Sequence, residues 1–191
     1  MGNFSDIFAA GTSNNVLEII ESPADGRSIE AASGTYVMET AAVQTLSNSY
    51  TNIQGSKINY EPPAGTKYIH YNFVFKIDPV SRCGLSHYRL YVENTEVNEA
   101  FATYSGQYNN NYGYNQHLMN IRYVLDLTAS SDNIAVGQFN GWNGSKEIVV
   151  KGRRYNSGYT TKVHRNKWWD GSGSSASNEY ASPILKIVAF N

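Results

Sequence analysis

Four histidines and one cysteine are the residues of this chain whose types could bind a metal or attack a carbonyl: His70, His87, His117, His164 and Cys83. Their spacing forms neither H-x-H nor H-E-x-x-H, and a lone cysteine excludes an internal disulfide and a thiolate zinc site. His70 and His87 fall in successive strand-like segments, so a metal pair across adjacent strands is geometrically open. The plainer reading is a solvated outer-face histidine. Cys83, in "VSRCGLSHY", needs a histidine beside it to act as a nucleophile, and is otherwise a small inert thiol. The carboxylates Asp78, Glu93, Glu96, Glu99, Asp126, Asp132, Asp170 and Glu179 are scattered. No pairing suggests a glycosidase, and no G-x-S-x-G elbow or triad pattern occurs. The expectation is a non-enzymatic protein with no catalytic residue, no cofactor and no metal.

Other segments carry weaker chemical signals. "GSGSSA", from Gly171, has the letters of a dinucleotide fingerprint, but a fingerprint needs a strand before it and a helix after it. Here Pro183 and an apolar β-type run follow, so a loop is expected. Sequon letters occur at Asn3 and Asn143. "KGRRYNSGYTTKVHRNK", Lys151 to Lys167, mixes cations with tyrosines as a strand-binding surface for nucleic acid does. The formal net charge of −1 and 16% charged residues argue against an electrostatic grip on nucleic acid or anionic lipid. The expected partner of Arg153 and Arg154 is therefore another subunit, and no nucleic acid is expected.

Two loops hold the exposed-aromatic vocabulary of recognition surfaces. "YSGQYNNNYGYNQH" presents Tyr104, Tyr108, Tyr112 and Tyr114, and "GQFNGWNGSK" presents Trp142 between two Asn-Gly turn signals. These five are candidate surface or receptor contacts, with host glycan as one ligand class; ordinary turn chemistry accounts for the same letters. Phe4, Ile7 and Phe8 supply enough apolar surface for the first residues to dock on a neighbouring subunit.

The elements that must position these residues are strands. In "KYIHYNFVFKI", Ile69, Tyr71, Phe73, Phe75 and Ile77 alternate with Tyr68, His70, Asn72 and Lys76. "LMNIRYVLDLT" repeats the pattern with Met119, Ile121, Tyr123, Leu125 and Leu127, and "SHYRLYVE" with Tyr88, Leu90 and Val92. "KEIVVKGRRY" and "GYTTKVHR" flank "NSG" and predict a hairpin. "VLEIIES", "RSIEAASGTYVMETAAVQTL", "SYTNI", "SKINYE" and "ILKIVAF" complete eight to ten strands, while "EPPAGT" marks a loop. Fifteen tyrosines and 13% aromatic residues suit pleated, contact-making surfaces.

The predicted architecture is all-β: a single-domain antiparallel β-sandwich, jelly-roll-like, over 16–191, with an N-terminal arm over 1–15. At 191 residues such a domain buries roughly two-thirds of its unfolded surface without staples. No apolar run is long enough for a membrane span. "MGNFSDIFAAG" lacks a basic start and apolar core, so no signal peptide is expected.

Two segments together, "AVQTLSNSYTNIQGSKINYEPPAGTKYIHYNFVFK" and "KWWDGSGSSASNEYASPILKIVAF", resemble a virion structural module of marine tailed phages and algal large DNA viruses. The matched letters cover about a third of the chain and bracket the predicted sandwich. The resemblance implies a jelly-roll head that works as a homo-pentamer or homo-trimer with other capsid proteins, assembled in the host cytoplasm and located in the virion. It would make Trp168, Trp169, Asp170 and Gly171 the entry to the last strand, and Pro62, Pro63 and Gly65 the loop before the central one. Because heptads, collagen triplets and repeats are missing, the expected role is a capsid subunit at the vertex (penton) or virion surface. A trimeric fibre or spike head binding host surface carbohydrate is the alternative.

Overall fold

The computed structural model describes residues 15–106, 116–166 and 180–191. In chain order the strands are β1 (Val16–Pro23), β2 (Ser28–Ala31), β3 (Gly34–Val37), β4 (Gln44–Thr45), β5 (Thr51–Asn52), β6 (Ile58–Tyr60), β7 (Tyr68–Pro79) and β8 (Ser86–Val92). They continue with β9 (Thr95–Tyr104), β10 (His117–Asp126), β11 (Thr128–Asn133), β12 (Gln138–Asn140), β13 (Lys146–Arg154), β14 (Thr161–Val163) and β15 (Ile184–Phe190). One sheet runs β1-β15-β7-β10-β12-β11, with β14 joining β7 to β4; a second runs β5-β13-β8-β9, with β6 also on β13. β2 and β3 form a separate hairpin. Among the described residues the pairings are antiparallel except for the single β10–β12 contact. The protein is an all-β antiparallel sandwich. No helix among the described residues is long and apolar enough to cross a membrane.

Period-2 alternation explains the core. Ile69, Tyr71, Phe73, Phe75 and Ile77 of β7 are all buried, and so are Tyr88, Leu90 and Val92 of β8. The two sheets meet where the Phe75 and Tyr88 rings stand edge to face, 5.0 Å between centroids. Each fully buried large side chain contributes roughly 1.5–3 kcal/mol of transfer free energy. β10 follows the same rule through Met119, Ile121 and Leu125, while Tyr123 is half-buried and donates its hydroxyl to the Val136 carbonyl at 3.1 Å.

The predicted hairpin around Asn156–Gly158 is corrected. β13 belongs to the five-stranded sheet and β14 to the eight-stranded one, so the connection crosses between sheets. The reason lies in β7: β15 pairs with its first half, residues 68–74, and leaves residues 77–79 to be paired by β14. Three strands were also missed from sequence, β9, β11 and β12, the last of which falls in the expected loop "GQFNGWNGSK". β9 places Phe101 outward, and β11 is a polar edge, so neither displays a clean apolar alternation.

The first strand reverses its apparent polarity. In β1 the irregular register between Val16 and Glu18 turns Glu18, Ile20 and Ser22 inward and leaves Ile19 on the outer face. Glu18 is accommodated because three neighbouring groups donate to it. Tyr60 Oη reaches its carboxylate at 2.7 Å, Ser33 N at 2.7 Å and Ser33 Oγ at 2.8 Å. Tyr36 Oη, 2.7 Å from Ser33 Oγ, lies 2.8 Å from the Glu61 carbonyl, so contacts to Glu18 and Glu61 tie the β2–β3 hairpin to the sandwich.

Candidate functional site

The outer face of the five-stranded sheet concentrates the polar chemistry. Cross-strand register sets Arg153 opposite His87, Lys151 opposite Arg89 and Val149 opposite Tyr91; on the other side of β8, His87 faces Thr103 and Arg89 faces Phe101. The alternation that buries Tyr88 and Leu90 therefore delivers His87, Arg89 and Tyr91 to the outside. Tyr50, in the loop before β5, lies across this row. Its ring centroid is 5.3 Å from Arg89 Cζ and 5.5 Å from Arg153 Cζ, so two guanidinium groups share one aromatic ring.

His87 is held at the centre of the group. Its Nδ1 lies 2.5 Å from Tyr50 Oη and 3.1 Å from Arg89 Nε. Arg89 Nε can only donate, so Nδ1 is the acceptor and the ring proton resides on Nε2. Burial, reinforced by the Arg89 charge, lowers the His87 pKa below its ordinary value and keeps the ring neutral at pH 7. Arg89 in turn is paired with Glu96. Next to this group Leu85, Ser86, His87, Thr103, Arg153 and Tyr155 enclose an open pocket of about 160 Å³. Sequence reasoning selected Arg153 but missed Tyr50, His87 and Tyr155 as its companions, since Tyr50 and His87 lie far from it in the chain and no short pattern shows that these strands and a loop converge.

The other sequence candidates have different places. Tyr104 is 7% exposed and packs its ring 4.5 Å from that of His117, so it belongs to the interior rather than to a contact surface. Trp142 is half-buried: its Nε1 donates to the Tyr60 carbonyl at 3.0 Å and its ring lies 4.9 Å from Phe139. It fastens the 141–145 turn to the core instead of standing free. Tyr108, Tyr112, Tyr114, Phe4, Ile7 and Phe8 lie outside the described residues, as do Trp168, Trp169, Asp170 and the Gly171–Ser177 segment. Arg154 bonds Asn48 Oδ1 at 2.9 Å and Thr160 Oγ1 at 3.3 Å.

The basic run from Lys151 to Lys167 is not one surface. Lys151, Arg153 and Arg154 are on β13, whereas His164 and Arg165 are buried after β14, with Arg165 paired to buried Asp78 at 3.1 Å. His70 and His87 sit on opposite outer faces of the sandwich and cannot share a metal. Among the described residues no group of three or more His, Cys, Asp or Glu side chains is arranged to hold a metal ion.

A second surface is apolar. On the outer face of the eight-stranded sheet the register aligns Ile19, Val188, His70 and Val124 in one row across β1, β15, β7 and β10. Ile19 is 55% exposed and Val124 46%, and Ile184 and Leu118 extend the exposed apolar area along the same face. A neighbouring row carries Glu21, Lys186, Asn72 and Arg122, with Glu21 and Lys186 paired at 2.7 Å. A scan against protein-family models and a search of curated proteins both find no match to the chain.

Proposed function

We propose that the chain is a non-enzymatic structural subunit of a virus particle, a single jelly-roll protein of the capsid vertex or virion surface that assembles with copies of itself. The observation that carries the assembly reading is the four-strand row Ile19–Val188–His70–Val124, in which three branched apolar side chains flank His70 on the outer side of a sheet already well filled on its inner side. Apolar area of this kind gains free energy when another surface covers it. The viral setting rests on the resemblance of the two bracketing segments to the phage and algal-virus module. Among the described residues, the Phe73–Phe75, Phe75–Tyr88 and Phe139–Trp142 ring contacts lie within the sandwich, which fits a scaffold whose task is shape.

Native mass spectrometry of the purified chain tests this reading. A closed ring is expected, and Ile19→Glu with Val124→Glu should convert it to monomer while the thermal transition of the monomer is retained. A pentamer places the protein at a fivefold vertex. A trimer favours the fibre-head alternative, and a wild-type chain that stays monomeric at high concentration overturns the proposal.

A further inference from the structure

Among the described residues, the outer face of the five-stranded sheet holds one arginine without a counter-ion. Arg89 is neutralised by Glu96, Lys151 donates to Asn94 Oδ1 at 3.2 Å and rests 4.5 Å from the Tyr91 ring centroid, and Arg154 bonds Asn48 and Thr160. Arg153 has no such acceptor. Among the described residues its guanidinium meets the face of Tyr50 and neither a carboxylate nor a hydrogen-bonding oxygen. Yet it lines the pocket formed with Leu85, Ser86, His87, Thr103 and Tyr155.

That pocket has the composition of a sugar site. Its volume of about 160 Å³ is close to that of an engineered cavity of about 150 Å³ that admits benzene, so there is room for one ring and not for a folded chain. Tyr155 is 56% exposed and brings an aromatic residue to the lining, with its ring in edge contact with Tyr159 at 5.4 Å between centroids. Thr103 brings a hydroxyl, and His87, fixed by Tyr50 and Arg89 through Nδ1, keeps Nε2–H as its donor. A planar guanidinium offers paired N–H donors that match a carboxylate. Among the described residues Arg153 is the one charged side chain in the lining, so a monoanion is balanced there and a dianion is not.

We infer that this pocket binds an acidic monosaccharide unit, with Arg153 taking the carboxylate, Tyr155 covering the ring, and Thr103 and His87 meeting ring hydroxyls. The fold places Arg153 Cζ over the Tyr50 ring, 5.5 Å from its centroid, a contact that reduces the side-chain freedom to be lost on binding. This inference stands apart from the assembly reading, because a monomer retains every residue that it uses.

Ligand-observed NMR and calorimetric titration of the full chain provide the test, with sodium glucuronate and sodium N-acetylneuraminate as acidic sugars, glucose as the ring without charge, acetate as the charge without ring, and inorganic phosphate as the dianion. At least one acidic sugar should bind, with glucose, acetate and phosphate each weaker by roughly tenfold or more. Arg153→Gln should weaken binding to the same extent, Arg153→Lys should retain part of it, and Tyr155→Ala should lose ring contact; Arg122→Gln, on the opposite sheet, should change nothing. Retained thermal transitions show that each variant is folded, and Arg153→Lys covers the case in which Arg153→Gln is not. Failure of both acidic sugars to bind, equal binding of acetate or phosphate, or full binding by a folded Arg153→Gln chain overturns the inference.

Discussion

Glu18 shows how much one buried residue can hold. Its carboxylate receives Tyr60 Oη, Ser33 N and Ser33 Oγ, so truncation leaves several buried donors without an acceptor. Glu18→Ala should lower unfolding free energy by about 3 kcal/mol, read from the urea midpoint, whereas Glu30→Ala on the exposed hairpin should cost no more than about 0.5 kcal/mol. His164 makes a different prediction. It is buried at φ +58°, against the rings of Phe73 and Phe75, and burial, opposed in part by a backbone group of Gln54, lowers its pKa from 6.5 to about 4. Between those values the unfolded chain binds a proton that the folded chain does not, so ν_U exceeds ν_N and stability falls as the pH falls. The full effect is about 3 kcal/mol, present above the unfolded pKa and lost by about pH 4. His164→Asn, which tolerates the left-handed backbone, should flatten the difference between urea midpoints measured at about pH 7 and about pH 4. An unchanged difference would exclude His164 as its source.

At the level of elements, turns and crossings decide which strand meets which. Gly55 links β5 to β6 at φ +81°, and an added Cβ would lie 2.5 Å from Ala24 Cβ and 3.0 Å from Pro183 Cγ. Gly55→Ala combines backbone strain with a collision against two other segments and should cost about 2 kcal/mol or more, measured by thermal unfolding. Ser56, the next residue, donates Oγ to the Ile53 carbonyl at 2.6 Å and accepts Val150 N at 3.1 Å, filling the gap in pairing between β5 and β6 along β13. The turn before this pair was legible because glycine is the residue such a φ favours. The β13–β14 crossing was not, since "NSG" between two strand-like runs is compatible with a hairpin and only the vacant partner position along the end of β7 draws β14 away.

For the whole molecule, the two outer faces have opposite characters and should be separable. One carries the apolar row through Ile19 and Val124; the other carries Tyr50, His87, Arg89 and Arg153. Ile19→Glu with Val124→Glu should abolish assembly in native mass spectrometry and keep acidic-sugar binding in the same preparation. Arg153→Gln should do the reverse. Loss of both properties from either variant would mean that the faces are coupled, against the sandwich geometry in which a packed core lies between them.

The all-β class, the central strand and its inward set were determined by sequence alone, because strict alternation over Ile69–Ile77 admits one buried face whatever the neighbours are. The loop before it was equally legible from Pro62, Pro63 and Gly65. Tertiary structure decided the rest. A tyrosine in an Asn-rich stretch reads as surface, yet Tyr104 is buried because β9 ends against β10 and its ring meets His117. "VLEIIES" was legible as a strand but its faces were not: the register of β1 on β15 buries Glu18 with Ile20 and leaves Ile19 outside, and donors from distant residues make the buried carboxylate tolerable. The Arg153 pocket joins residues from β8, β9 and β13 with Tyr155 beyond it, and Tyr50 braces it from a separate loop. No local pattern encodes that meeting, since it depends on which strands pair, in what register, and on which face each side chain emerges.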